Sequence, residues 1–127
     1  MNITIKTIPH SEQRYPTVGD WWWSGRGKDE LHIRVSEMKD HRYVWLIIIH
    51  ELVEVFLCRN DGVKSSDVDE FDRAYEIARP EGDTSEPGDS PAAPYRTQHC
   101  IATGIERIIA GLLGVCWADY EKTINEL

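Results

Sequence analysis

The chain has 127 residues and a formal net charge of −8, with 22 Asp and Glu against 14 Lys and Arg. That length fits a single domain over residues 1–127 with room for a real core. The acidic balance argues against a nucleic-acid-backbone binder, which needs a basic patch. The three cysteines, Cys58, Cys100 and Cys116, are odd in number and lack CxxC spacing. They argue against a disulfide scaffold or a zinc ribbon and for a reducing cytoplasm. The N-terminus has no secretory pattern, and the apolar run Tyr43–Cys58 is too short and too interrupted for a membrane span. A soluble, cytoplasmic protein is expected.

In chain order, Ile3 and Ile5 alternate with Thr4 and Lys6, which predicts a short half-buried strand over Asn2–Ile8. Pro9 to Asp20 reads as an irregular connection. Trp21–Trp23, a Gly-rich turn, and the alternation of Leu31, Ile33 and Val35 predict a hairpin. Asp40 can cap a helix running from His41 to about Arg59 and stopping near Gly62. Ser65 or Ser66 can cap a second helix, with Val68, Phe71, Tyr75 and Ala78 at helical spacing and Pro80 ending it. Residues 80–94 are acidic and rich in Pro, Gly and Ser, and read as a long mobile loop of the kind that is often functional. A third helix follows from Pro94 or Tyr95 to Gly111 or Gly114, with Ile101, Ile105, Ile108 and Leu112 as its core stripe. A last helix covers Trp117–Asn125. The fold class is α+β: a small antiparallel sheet of two or three strands, then three or four helices.

Within the apolar run of the first helix stand His50, Glu51 and Glu54. Positions i and i+4 lie about 40° apart on a helix, so His50 and Glu54 share a face. The helix is otherwise apolar and should be buried on nearly all sides. Buried carboxylates cost several kcal/mol each unless a cation or metal pairs with them. On the third helix, His99 and Glu106 are about two turns apart and share a face, beside the small Ala102, Thr103 and Ala110. A divalent metal between the two helices would draw on His50, Glu54, His99 and Glu106. Arginines such as Arg42, Arg73 or Arg107 are the alternative partners. Zinc is favoured, and manganese or magnesium also suit a His–carboxylate set.

Asp69, Asp72 and Glu76, with Glu70 beside them, form a further acidic face that also serves solubility and the helix dipole. Cys58 reads as a small buried hydrophobe. Trp21–Trp23 could stack a ring, although alternate strand residues face opposite sides. The central helix, apolar on every side, together with Trp45 and the tryptophan cluster, predicts a homodimer.

His50-Glu51-Leu52-Val53-Glu54 resembles the HExxH helix of zincin metallopeptidases, with Glu54 where the second histidine would stand. The resemblance implies a metal-dependent hydrolase in which Glu51 is the general base, acting on a water that the metal activates. The layout of Glu51 and Glu54 followed by Asp69 and Asp72 is similar to MazG-type nucleotide pyrophosphohydrolases, which implies magnesium-dependent nucleotide hydrolysis. Over most of its length, from Thr17–Asp20 through Ile49–Glu54 and Phe71–Glu76 to Tyr95–His99 and Gly104–Arg107, the chain resembles small bacteriophage and prophage proteins. That implies work in a bacterial host cytoplasm and admits a non-enzymatic protein that sequesters a host factor or small ligand.

Overall fold

The alternation at Leu31, Ile33 and Val35 makes one strand face apolar, and that strand becomes the centre of the sheet. The structure is a computed structural model and describes residues 1–127. Strands β1 (Asn2–Ile8), β2 (Gly19–Ser24) and β3 (Glu30–Ser36) form one sheet in the order β1-β3-β2. Helices α1 (His41–Asn60), α2 (Ser65–Ala78), α3 (Arg96–Leu112) and α4 (Trp117–Asn125) follow. The chain is α+β, with His50 and Glu54 buried in the central helix.

β2 and β3 are the expected antiparallel hairpin, Trp21 opposite Ile33 and Trp23 opposite Leu31. β1 departs from expectation, because it pairs with β3 in parallel, from Asn2 opposite Glu30 to Ile8 opposite Ser36. The connection explains this. His10 Nδ1 lies 2.8 Å from Ser36 Oγ and Gln13 Nε2 donates to the same hydroxyl, so residues 9–18 cross the end of β3. β2 then returns on the far side of β3, which leaves β1 running with β3. Ile3 and Ile5 are exposed rather than half-buried, because α1 lies over β2 and β3 while β1 is beyond it.

Asp40 caps α1 as expected, accepting from the Arg42 amide at 3.0 Å. α1 buries Val44, Leu46, Ile47, Val55 and Cys58 along with His50, Glu51 and Glu54. It is not covered all round: Trp45 is 50% exposed and Phe56 42%. α2 begins after Lys64 with no side-chain cap, so neither Ser65 nor Ser66 plays that part.

The largest difference concerns α3. The stripe of Ile101, Ile105, Ile108 and Leu112 faces outward, with Ile108 66% and Leu112 79% exposed. The inward face is His99, Ala102, Glu106 and Ala110. Ala102 and Ala110 let α3 approach α1 closely. The rotation is set by the polar groups: turned the other way, His50 and Glu54 would be buried without His99 and Glu106. Breaking such a buried charge set costs about 3–5 kcal/mol.

Residues 80–94 are built in two halves. Glu81–Ser85 is largely exposed. Pro87–Asp89 forms a 3-10 turn, and Gly88 and Ala93 are buried against the body of the protein. No helix is long and apolar enough to cross a membrane.

Candidate metal centre

Helical spacing puts His50 and Glu54 on the side of α1 that meets α3, and the alanines of α3 bring His99 and Glu106 within reach. The geometry is closely convergent. His50 Nε2 is 3.1 Å from Glu54 Oε2 and 3.2 Å from His99 Nδ1. His99 Nδ1 is 3.0 Å from the same Glu54 oxygen. All three residues are buried. Ligand atoms around a tetrahedral zinc at about 2.0–2.1 Å stand roughly 3.3 Å from one another, so this triangle has the size of one tetrahedral face.

The outer nitrogens are also engaged. His50 Nδ1 is 2.8 Å from Glu106 Oε2, and His99 Nε2 is 2.8 Å from Glu86 Oε2 and 3.4 Å from Asp89 Oδ1. With those N–H groups donating to carboxylates, both inner nitrogens turn their lone pairs toward Glu54. A carboxylate behind each imidazole is the arrangement that orients metal-ligating histidines. Tyr120 donates to the other oxygen of Glu106, and Trp21 Nε1 donates to Glu54 Oε1 at 2.9 Å. Glu106, expected as a ligand, therefore stands behind His50 and outside the triangle.

Three converging acceptors need a cation between them, either protons or a metal. Burial by itself would lower the pKa of His50, but Glu106 and Glu54 outweigh it and hold it well above the ordinary value. Burial opposes protonation of His99 too, yet Glu54 and Glu86 raise it to about 10. Burial would raise Glu54, while hydrogen bonds and charge from the two histidines pull it down to about 2. In the protonated form, two N–H groups crowd one carboxylate oxygen. One divalent ion would replace both protons.

Glu51 lies beside this triangle and points another way. Its carboxylate rests on Gly19 of β2, where a Cβ would come within 2.3 Å of Glu51 Oε1. Burial pushes its carboxyl well above the usual range, and the charge of Glu54 adds to this. Gly88 makes the matching close approach, since a Cβ there would lie 2.3 Å from the His99 ring. At both glycines the backbone comes close to a side chain of the candidate site.

Glu51, Glu54, His50, His99 and Glu106 all line one open cleft of about 950 Å³. The acidic face of α2 is mostly occupied elsewhere. Arg14 holds Asp69 at 3.1 Å, and Arg79 holds Glu76 at 2.7 Å. Asp72 accepts from Tyr95 at 2.5 Å and Tyr15 at 3.2 Å, and burial raises its carboxyl to about 7. Cys58 is a buried core residue, its thiol pushed up to about 12 by burial. Of the three tryptophans, Trp21 is core, Trp22 stacks on His32, and Trp23 lies under Arg59.

Sequence reasoning missed Glu86, Asp89, Trp21, Tyr120 and the two glycines. Glu86 and Asp89 sit in what reads as a mobile loop, and nothing local ties them to His99. No protein-family model, characterised protein or solved structure matches the chain.

Proposed function

We propose that the protein is a metal-dependent hydrolase whose divalent cation, zinc by preference, is held by His50, Glu54 and His99. The observation that carries this reading is the triangle of donor atoms 3.0–3.2 Å apart, each imidazole backed by a carboxylate. Two histidines and one carboxylate are a catalytic zinc donor set that leaves a fourth position open. Nitrogen donors favour zinc over magnesium, with manganese the nearer competitor. A cation held by these three residues would supply Lewis acidity that lowers the pKa of a water toward neutrality. Glu51, which lines the same cleft, is the candidate base for that proton. Glu106 and Glu86 fix the imidazole tautomers, and Tyr120 holds Glu106 in place.

A nucleotide pyrophosphohydrolase would need free carboxylates on α2. Asp69 and Glu76 are already held by Arg14 and Arg79, so this is the lesser reading. For place of action we propose the cytoplasm, which suits three free cysteines.

Elemental analysis of the purified chain tests the proposal, after addition of zinc, manganese and magnesium in turn. One zinc per chain, lost in His99→Ala, is expected. A wild-type chain that retains none of the three metals removes the hydrolase reading. It would leave a proton-held network in a binding protein.

A further inference from the structure

On the sides of α1 and α3 away from the cleft, large apolar side chains are exposed. On α1, Trp45, Ile49, Leu52 and Phe56 fall at spacings of four, three and four, a single helical stripe. Trp45 and Phe56 are among the most exposed large apolar side chains of the chain. On α3, Ile101, Ile105, Ile108 and Leu112 repeat that spacing, all exposed. On each helix the stripe lies away from the buried side that carries His50 and Glu54 or His99 and Glu106. β1 continues the surface. Its Ile3 and Ile5 pair in register with Leu31 and Ile33, point to the α1 side of the sheet, and are exposed.

We propose that a second copy of this chain covers the β1–α1–α3 face, forming a two-fold dimer whose two clefts open outward. Area is the first argument. The exposed apolar side chains of the face offer on the order of 800 Å² per copy, the size of a standard specific interface, and monomers rarely expose so large an apolar patch. Charge is the second. The chain carries 22 acidic residues, yet the exposed surfaces of α1 and α3 contain none. No carboxylate of one such face meets a carboxylate of the other. The arginines at the rim are engaged within one chain, Arg42 with Asp40, Arg59 over Trp23 and Arg107 over Trp117.

The glycines of α3 agree. A Cβ at Gly104 or Gly111 would meet nothing within 4 Å, so nothing inside one chain asks for glycine there. Glycine weakens a helix interior. Two glycines seven residues apart, beside an apolar stripe, leave room for another helix to approach closely.

Sedimentation equilibrium of the full chain, from about 1 to about 50 µM, tests the proposal. Wild type should show twice the 14.6 kDa of one chain. Ile108→Glu and Leu112→Glu alter side chains that are largely exposed in one copy, so each should fold, as circular dichroism would record, and sediment as a monomer. Ile77→Glu, at an exposed site on α2 away from the face, should remain a dimer. A monomeric wild type overturns the proposal, including one that floats with anionic vesicles. So does a folded Ile108→Glu or Leu112→Glu chain that stays dimeric.

Discussion

His50 Nε2 and His99 Nδ1 lie 3.2 Å apart across the contact of α1 and α3, each with its other nitrogen on a carboxylate. Neither helix alone could set that distance. It turns both inner nitrogens toward Glu54, and the consequences can be measured.

His99→Ala removes a donor of the triangle and should abolish stoichiometric metal. Glu106→Gln leaves all three donors but weakens the anchor of His50, so affinity should fall about 10–100-fold. Competition with a chromogenic chelator distinguishes these outcomes. Equal loss in both variants would place Glu106 among the ligands.

Glu51→Gln keeps shape and removes a buried carboxylate that no protein group contacts by hydrogen bond. The metal-free protein should gain stability at pH 8, by about 1–3 kcal/mol, while metal content stays unchanged. Any hydrolytic turnover should drop by about 10²–10⁴-fold. Urea melts and metal analysis on the same samples check this, and a loss of metal would mean that Glu51 is itself a ligand.

Gly88→Ala forces a methyl against the His99 ring. Overpacking of this kind costs about 1–3 kcal/mol. Because the strained neighbour is a donor, metal affinity should fall together with melting temperature. Gly82→Ala is a comparison in the same segment without a close neighbour, although its positive φ of 81° carries its own strain. It should leave affinity intact.

Asp72 gives a pH dependence of known sign. Burial raises its folded pKa to about 7, and the hydroxyl of Tyr95 offsets this only in part. The folded state therefore holds a proton that the unfolded chain releases near pH 4. The stability it contributes is complete below that value. It is lost as pH rises toward 7, by about 1.4 kcal/mol per pH unit at most. Stability measured from pH 4 to 7 should fall more steeply in wild type than in Asp72→Asn. Equal slopes would show that Asp72 titrates normally.

Limited proteolysis should separate the two halves of residues 80–94. Cutting is expected within the exposed Glu81–Ser85, and not at the buried Gly88, which packs against the His99 ring. First cuts at Gly88 or Asp89 would show that Glu86 and Asp89 do not hold His99 in solution.

Period and composition sufficed for much of the architecture. The β2–β3 hairpin, the Asp40 cap and the bounds of α1 and α4 follow from alternation, turn residues and spacing, which are local properties of the chain. The polar residues inside an apolar run marked His50, Glu51 and Glu54 as needing partners, since buried charge cannot go unpaired. His99 and Glu106 were legible as a pair on one helical face.

Tertiary structure decided what depends on distance along the chain. The parallel pairing of β1 follows from where residues 9–18 cross β3, and no local pattern encodes a crossing. The facing of α3 went against its own apolar period, because its histidine and glutamate had to satisfy α1 and its alanines allowed the approach. Glu86, Tyr120 and Trp21 were silent in the sequence. A hydrogen bond is made by atoms within about 3 Å in space, and these residues come from three separate elements. The sequence could say that the carboxylates of α1 need a cation. Only the packing of α3, α4 and the 86–89 turn around them determined which nitrogens face inward and which side chains stand behind.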